Sequence, residues 1–325
     1  MRIVFMNQKQ LRVWILAGII LINVCGLLLN SERVTRRIFG VKSGVWLENR
    51  QVAGMLPEEL TKLVTLMAER VNRDARDAGY LPETGEILSA QPGKRVQVAE
   101  TVQQVCLAKA GSRLKLKIVE VAPGISEELF KPVYHANAAL PKVALTVNVA
   151  WGEEYLPEIL RILKEEKAKA TFFFVGTWVK AFPELVKEIA ASGHEVANHG
   201  LYHGHPLQMK REELRRLITE NNLLLAGTLG KEPARLFAPP YGEVNSQIAA
   251  TAGELGYRTI MWSVDTIDWK NPTPETLLNR VLAKIEPGGI ILMHPTVASR
   301  TALRPLIRAL KKRGLQPVTV SELIR

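Results

Sequence analysis

The C-terminal half of the sequence predicts an α/β fold in which helices cover parallel strands. From residue 142 onward, apolar runs of strand length alternate with amphipathic segments of helix length, and repeated β-then-α units imply parallel strands. Several of these runs lack polar alternation, as expected of strands that are buried on both faces. Polar residues recur where the predicted strands end. We expect this α/β part to follow a small α+β domain and an N-terminal transmembrane helix.

The strands and helices of the α/β part can be assigned in order. The predicted strands are residues 143–149, 170–175, 195–197, 236–237, 259–264 and 289–293. A first helix places its apolar side chains on one face, namely Leu156, Ile159, Leu160 and Leu163. A second helix does the same with Trp178, Phe182, Leu185 and Ile189.

Length and composition limit the organisation and the partners of the chain. Its 325 residues are enough for two folded domains behind a short N-terminal segment, and we place the parts at residues 1–38, 39–136 and 137–325. The 47% of apolar residues and 23% of charged residues are ordinary for a globular protein. A net charge of +11 favours an anionic membrane surface, an anionic wall polymer or nucleic acid. Because the chain has no basic stripe interleaved with aromatic residues and no zinc-finger spacing, we expect no nucleic-acid partner.

An uncharged apolar run near the N-terminus predicts a membrane anchor. Residues 13–29 read VWILAGIILINVCGLLL, which is long enough to cross a bilayer. Basic residues flank this run in nearly equal number and give no orientation: Arg2, Lys9 and Arg12 before it, Arg33, Arg36 and Arg37 after it. A cleaved signal peptide is the alternative, although no small-residue cleavage site follows the run. We expect a single-pass protein of the cell membrane whose C-terminal domain is extracytoplasmic.

The middle segment, residues 39–136, predicts a small α+β domain. Residues 57–71 form one helical face and begin with a proline suited to the first helical turn. The segments GVWLENRQVAGMLPEEL and VQVAETVQQVCLAKAG resemble the peptidoglycan-binding modules found beside VanW-type wall proteins. A spacer that holds the next domain away from the membrane is an equal alternative.

Polar residues at the ends of the predicted strands point to one site. They are Asn148 after the first strand, His199 and His203 after the third, Asp265 and Asp268 after the strand 259–264, and His294 after the last. In barrel-like α/β folds the carboxyl ends of the strands meet on one face, where the chemistry takes place. Three histidines and two aspartates at equivalent positions therefore predict a functional site.

Residues 142–325 resemble the polysaccharide deacetylase family, which is also known by NodB homology and as carbohydrate esterase family four. The resemblance is carried by KATFFFVGTWVKAFPELVKEIAASGHEVANHGLYHGHP, followed in order by PPYG, SVDTIDW and GGIILMHP. It implies a distorted (β/α) barrel that removes acetyl groups from peptidoglycan or chitin-like sugars with the help of a divalent metal such as zinc.

The first motif of the family is degenerate in this chain. The resemblance implies two adjacent aspartates, a general base and a metal ligand, where this chain has Asn148 and Val149. The segment VAWG, which begins at Val149, is similar to the first motif of a sporulation-associated subgroup of the family. Ala238 stands where the family has an arginine that orients the base. We therefore expect metal binding to be weak or absent.

The remaining motifs are retained. The resemblance implies that His199 and His203 bind the metal, and their spacing of four residues lets both imidazoles face one ion. It also implies that His294 is the general acid with Asp268 as its partner, and that the backbone N–H of Tyr241 stabilises an oxyanion. The candidate substrate-binding residues are Trp151, Pro240, Trp269 and Asp265. For Asp265, a cap of a local turn is as good an interpretation as a role in the His294 network.

Two hypotheses for function follow, and a third is weaker. The chain is either a deacetylase-like hydrolase of N-acetylated cell-wall glycan or a catalytically impaired pseudoenzyme that binds glycan or acts as a scaffold. A plain structural domain is disfavoured because the polar residues of the predicted site are retained at several strand ends.

Overall fold

The computed structural model describes residues 8–325, without the side chains of residues 8–11, 25 and 27–30. Residues 1–7 of the predicted anchor, Arg2 among them, lie outside the described residues. The helices are α1 Gln8–Phe39, α2 Pro57–Val71, α3 Val98–Leu107, α4 Leu156–Glu165, α5 Gly176–Ala181, α6 Pro183–Ala191, α7 Arg211–Leu229, α8 Ser246–Glu254, α9 Pro274–Leu282, α10 Val297–Lys312 and α11 Val320–Leu323.

The strands are short except for one. They are β1 Trp46–Leu47, β2 Arg50–Gln51, β3 Gly79–Leu81, β4 Glu86–Leu88, β5 Gly93–Val96, β6 Arg113–Leu114, β7 Ile118–Val121, β8 Lys142–Val149, β9 Thr171–Phe174, β10 Glu195–Asn198, β11 Leu236–Phe237, β12 Arg258–Thr259, β13 Val264–Asp265, β14 Ile290–Met293 and β15 Gln316–Val318. The eight-residue β8 is the longest strand, and seven of its residues are buried.

The chain divides into two compact units. The N-terminal unit comprises the described residues up to 76 and residues 91–123, and the C-terminal unit comprises residues 77–90 and 124–325. The sequence placed residues 39–136 in one domain, whereas the β3–β4 hairpin belongs to the C-terminal unit. The reason is a small apolar cluster in which Ala78 and Phe130 pack with Ala250 of α8.

The N-terminal unit is built from three helices and short strands. The helix predicted over residues 57–71 is confirmed, since α2 has these bounds and buries Leu60, Leu63, Val64 and Ala68. β1 pairs with β2 in antiparallel and with β6 in parallel orientation, and β5 pairs with β7 in antiparallel orientation. Arg36 near the end of α1 binds both carboxylate oxygens of Glu59 at 2.7 Å, so α1 is joined to α2 by a bidentate ion pair.

The predicted transmembrane helix is not confirmed. Residues 13–29 are helical within α1, but among residues 8–325 no helix combines the length and the apolar character that a membrane span requires.

Basic charge is concentrated in the N-terminal unit. Residues 1–76 and 91–123 contain 18 of the 43 Lys and Arg residues but only 8 of the 32 Asp and Glu residues. This part of the sequence therefore carries +10 of the total formal charge of +11, and the C-terminal unit is nearly neutral. An anionic partner is expected to be attracted to the first unit and not to the second.

The C-terminal unit is a half-barrel around one parallel sheet. The strand order is β12-β11-β10-β9-β8-β14-β13, with β15 paired to the start of β8, and every pair is parallel. The single strand predicted over residues 259–264 is wrong: it is divided into β12 and β13, which lie at opposite ends of the strand order. After β12 the Ile260 backbone N–H still donates to the carbonyl of Phe237 in β11, while the backbone of Val133 bonds the Thr259 carbonyl and the Met261 N–H on the other side.

Side-chain alternation along β8 separates two cores. Leu145, Val147 and Val149 point into the core between the sheet and the helices. Ala144 points to the other face of the sheet and packs in the barrel interior with Phe173 of β9. Both faces of β8 are therefore buried, as the continuous apolar run predicts.

We predict that His194 makes the C-terminal unit less stable in acid. Burial, and secondarily the charge of Lys169, lowers the pKa of His194 from 6.5 to about 4. The unfolded chain therefore takes up a proton first, and stability that is present above about pH 6.5 is lost as the pH falls towards about 4. Replacing this ring by Gln in His194→Gln should remove about 1–3 kcal/mol of that pH dependence, after allowance for partial solvent access. Urea unfolding near pH 7.5 and pH 4.5 measures it.

The exposed His135 provides the control for this comparison. His135→Gln should leave the pH dependence of unfolding close to that of the wild type. If His194→Gln also leaves it unchanged, the buried imidazole is not the group responsible.

Candidate functional site

The carboxyl ends of the sheet strands surround a cleft of about 390 Å³. Eight of the ten predicted site residues line it: Asn148, Trp151, His199, His203, Tyr241, Asp265, Trp269 and His294. The other two lie beneath the surface, since Asp268 and Pro240 are buried and absent from the cleft lining. The parallel strands thus bring together side chains that are far apart in sequence.

A buried carboxylate holds His294 from behind. Asp268, with 1% of its surface exposed, accepts a hydrogen bond from His294 Nδ1 at 2.8 Å and one from the His294 backbone N–H at 2.6 Å. The hydroxyl of Ser299 donates a further hydrogen bond to the same carboxylate. Since Nδ1 carries the proton towards Asp268, Nε2 is the ring atom available for chemistry. Trp151 stacks on the His294 ring with 5.8 Å between centroids.

The two predicted metal-binding imidazoles are neighbours. The ring centroids of His199 and His203 lie 5.3 Å apart, and His199 Nδ1 donates to the carbonyl of Ala238 at 2.6 Å. Burial, and secondarily His203, lowers the pKa of His199 to about 3. Burial and the nearby His294 also lower the pKa of His203. Both rings are therefore neutral at physiological pH.

A buried amide pair fixes the loop that carries His199. Asn198 Oδ1 accepts hydrogen bonds from the Gly200 backbone and from Asn221 Nδ2, each at 2.8 Å. Asn221 Nδ2 also donates to the carbonyl of Phe174 at 2.9 Å, which joins α7 to β9. The sequence interpretation did not include these asparagines. The signal was present, since Asn198 in the segment ANHG and Asn221 in α7 are amides at positions where apolar residues are expected.

Tyr241 adopts a backbone conformation that L-residues rarely use. Its φ of 58° lies in the left-handed region. The ring stacks on His205 with 4.1 Å between centroids and contacts the edge of His203 at 4.3 Å. His205 Nδ1 lies 2.8 Å from a carboxylate oxygen of Glu243, so the stacked pair is held on its solvent side. His205 and Glu243 were not predicted from the sequence.

Gly242 makes room for an aromatic wall that was also not predicted. A Cβ atom at Gly242 would lie 2.3 Å from the Trp262 ring, so a side chain here would displace the tryptophan from the cleft. Trp262 lines the cleft together with Trp151 and Trp269, and the last two are exposed. Flat aromatic surfaces of this kind suit the apolar faces of sugar rings.

The two residues of the degenerate first motif lie on opposite faces of β8. Asn148 lines the cleft, whereas Val149 is fully buried in the core between sheet and helices. Asp265 lines the cleft and also accepts the Ile267 backbone N–H at 2.8 Å, which is the predicted turn cap. No hydrogen bond between Asp265 and His294 is present among the described residues.

The residues of the cleft do not fit a firmly held metal ion. A catalytic zinc ordinarily has three protein ligands. In residues 8–325 no group of three His, Cys, Asp or Glu side chains is arranged to hold a metal. His199 and His203 supply two imidazoles, and the residue that follows Asn148 is an aliphatic core residue.

Comparisons with known proteins place this site in context. Residues 136–260 match the family described as polysaccharide deacetylase. A Bacillus cereus peptidoglycan-N-acetylglucosamine deacetylase is 37% identical over 189 residues, which are 56% of this chain and 88% of that protein. The Bacillus subtilis protein YlxY is 40% identical over 207 residues, 63% of this chain, and the match spans 65% of that protein's length.

Solved structures of similar fold include a pseudoenzyme and a mutant of it. A carbohydrate esterase family 4 pseudoenzyme from Bacillus anthracis superposes with a TM-score of 0.60 at 34% identity, covering 82% of this chain and 95% of that chain. A mutant of that pseudoenzyme with restored enzymatic activity superposes with the same TM-score at 32% identity, covering 82% and 98%.

We predict different stability costs for a carboxylate at the two positions of the first motif. Val149→Asp should lower the free energy of unfolding by about 3–5 kcal/mol, because it places a charge in an apolar core without a partner. Asn148→Asp should cost at least about 2 kcal/mol less, because its side chain faces the cleft. Urea denaturation of both variants and of Val149→Thr, as a control of similar shape, measures the difference. Equal costs for both aspartates would show that Val149 is not confined to the core.

Proposed function

The chain belongs to the polysaccharide deacetylase family, and from this we propose that its C-terminal unit binds N-acetylated cell-wall glycan in the cleft and is impaired as a hydrolase. The observation that carries the proposal is the wall of the cleft at the end of β8. There the amide of Asn148 replaces a titratable carboxylate, and Val149 packs into the core. The similarity to a pseudoenzyme over 82% of the chain supports the same conclusion.

Cell-wall glycan is the favoured ligand because of both the relatives and the cleft. The Bacillus cereus relative is named a peptidoglycan-N-acetylglucosamine deacetylase. In this chain, exposed Trp151, Trp269 and Tyr241 present ring surface around the cleft opening. Rigid aromatic rings bind sugars through their apolar faces at small cost in side-chain entropy.

The chemistry available to these residues is half of an amide hydrolysis. A side-chain amide does not take up a proton in the physiological range, so Asn148 cannot activate water as a general base. His294 is still oriented by Asp268 and can donate a proton through Nε2. When bound, a divalent ion in this family polarises the acetyl carbonyl. We propose that His199 and His203 hold such an ion only weakly.

A slow hydrolase is the second candidate, and the His294–Asp268 pair favours it. The acid half of the reaction is assembled at hydrogen-bond distance, 2.8 Å, before any ligand binds. In that case His199 and His203 would hold a divalent ion, which would supply the activation of water that Asn148 cannot provide.

We predict that restoring one carboxylate raises acetate release. In the presence of added zinc, Asn148→Asp should release acetate from chito-oligosaccharides about tenfold to a hundredfold faster than the wild type, since it restores a general base. We expect a gain near the lower end of the rate enhancement that general bases usually provide. His294→Ala in the Asn148→Asp background should abolish the gain, because the acid is lost.

Asn148→Leu is the matched control for this measurement, since it changes the same position without adding a base. It should show no gain over the wild type. If the wild type already releases acetate as fast as Asn148→Asp, the chain is an active deacetylase and the impaired reading is wrong.

We also propose that the protein lies at the outer face of the cell membrane, with the N-terminal unit serving as a wall-binding module or as a spacer. Apolar side chains of residues 13–16 and 19–22 are exposed on α1. The sequence of the N-terminal unit carries a charge of +10, which suits an anionic lipid surface or wall polymer. Peptidoglycan, the ligand of the relatives, lies on that side of the membrane. An association with sporulation stays a prediction.

Protease treatment of intact protoplasts tests this location. We predict that added protease removes the C-terminal unit while a cytoplasmic marker protein stays intact. If the C-terminal unit is protected to the same extent as the marker, the domain is on the inner side and the proposed location is wrong.

A further inference from the structure

The C-terminal end of α1 borders a cavity of about 840 Å³ within the N-terminal unit. Its lining comprises the last residues of α1, the segments 40–43 and 53–54, and two residues at the end of α3 and just beyond it, Cys106 and Ala110. No residue of the candidate site belongs to this lining. The cavity is therefore a feature of the molecule separate from the cleft.

Two cations of this cavity have no acidic partner. Arg37 and Lys42 line it, are exposed, and make no ion pair with any residue in the described range 8–325. None of the described residues that line the cavity is acidic. The carboxylates of Glu32 and Glu59 are both bound by Arg36, at 3.0 and 2.7 Å, so these three charges largely offset one another. The positive charge of Arg37 and Lys42 is therefore available to an anionic ligand.

Large apolar side chains are exposed beside these cations. Ile38 and Phe39 line the same cavity with 65% and 66% of their surface exposed. Val34, one turn earlier on α1, is 52% exposed, and the apolar side chains of residues 13–16 and 19–22 of the same helix are exposed as well. Exposed apolar surface that continues into a set of cations suits the boundary between lipid head groups and acyl chains.

A neighbouring loop extends this surface. The Gly111 backbone N–H donates to the carbonyl of Ser43 at 3.0 Å, which joins the loop after α3 to the segment 40–43. The loop carries Lys109, which is exposed and has no ion pair among the described residues, and Leu107 just before it is 74% exposed. Basic and apolar side chains thus occur together on two chain segments that meet at the cavity.

We propose that this surface, the basic collar, docks on anionic phospholipid: the cations Arg37, Lys42 and Lys109 contact the lipid phosphates, and the side chains of Ile38, Phe39 and Leu107 enter the layer between head groups and acyl chains. The inference rests on the proposed location at the membrane and adds the class of lipid and the residues that bind it. A phosphate-bearing lipid fits the collar better than a soluble anionic polymer does, because a polymer would leave the three apolar side chains in water.

Photo-crosslinking of the full chain in vesicles tests the proposal. The vesicles contain equal parts of phosphatidylcholine and phosphatidylglycerol, with a trace of either lipid carrying the same photoreactive group next to its glycerol. Flotation first shows that the chain is bound to the vesicles, and mass spectrometry then counts the cross-links to residues 33–43 and 106–112. We expect the phosphatidylglycerol probe to label these segments at least about fivefold more than the phosphatidylcholine probe, the factor that one cation near an anionic surface provides.

Matched variants separate the collar from the general charge of the N-terminal unit. Arg37→Gln combined with Lys42→Gln should bring the labelling ratio of the two probes to within about twofold of equality, because the cations that contact phosphate are gone. Lys94→Gln combined with Lys115→Gln removes the same charge from exposed residues of the same unit that do not line the cavity, and it should keep the ratio of the wild type. Phe39→Ser should lower labelling by both probes and leave their ratio unchanged, since an apolar contact does not distinguish the head groups.

The outcomes separate this proposal from the location on which it rests. A preference for phosphatidylglycerol that is lost in the Arg37 and Lys42 variant and kept in the Lys94 and Lys115 variant, both verified as folded by urea denaturation, supports the collar. Equal labelling of the wild type by the two probes, or the same loss in both double variants, overturns the collar and leaves the membrane location in place. A chain that does not float with the vesicles overturns the membrane location itself. If soluble polyglycerol phosphate at equal phosphate concentration displaces the phosphatidylglycerol probe from the wild type, the surface binds a wall polymer and the lipid partner is wrong.

Discussion

The C-terminal unit depends on the burial of β8 on both faces. The side chains of a strand alternate with a period of two, so consecutive residues must belong to different environments. Asn148 therefore lines the cleft, and Val149 packs between the sheet and its helices. Pairing with β14 over Ala144–Val147 and with β9 over Thr146–Val149 keeps this register. A shift by one residue would exchange the polar and apolar positions and empty the core.

Retention of the acid pair has a structural reason that is independent of catalysis. The Asp268 carboxylate accepts three hydrogen bonds and is almost entirely buried. Removing it would leave the His294 backbone N–H and the Ser299 hydroxyl without an acceptor, which costs about 1–3 kcal/mol for each buried group. Because Ser299 lies in the first turn of α10, the same carboxylate helps to hold that helix against the β13–β14 edge. The presence of this pair therefore does not by itself indicate an active enzyme.

The fold was predictable from sequence where a local pattern was strong. The run 143–149 and the helix 57–71 follow from apolar periodicity, and the polar residues at strand ends predicted most of the cleft. Other features depend on contacts between distant residues. The predicted strand 259–264 is divided because its first part pairs with β11 and its last part with β14, and packing of Ala78 with Phe130 places the β3–β4 hairpin in the C-terminal unit.

The supports of the site were harder to predict than its lining. Asn198 and Asn221 act through a hydrogen bond that joins residues 23 positions apart, which no periodicity reveals. Trp262 becomes part of the cleft because Gly242 leaves space for its ring. The alternation of β8 was available from the sequence, and its consequence is that the two positions of the first motif are not equivalent. A substitution at Asn148 changes the chemistry of the cleft, whereas a substitution at Val149 changes the core.

At the end of β8, the residue type that stabilises the fold differs from the residue type that hydrolysis requires. The fold favours an apolar side chain at Val149, and hydrolysis requires a carboxylate. Val149 contributes apolar burial to the main core, whereas an unpaired carboxylate at the same position would be desolvated there. At Asn148 the balance is different, because the side chain lines the cleft and a carboxylate there would not enter the apolar core between sheet and helices. The two positions thus differ in what a carboxylate costs the fold, and the cost is greater at Val149.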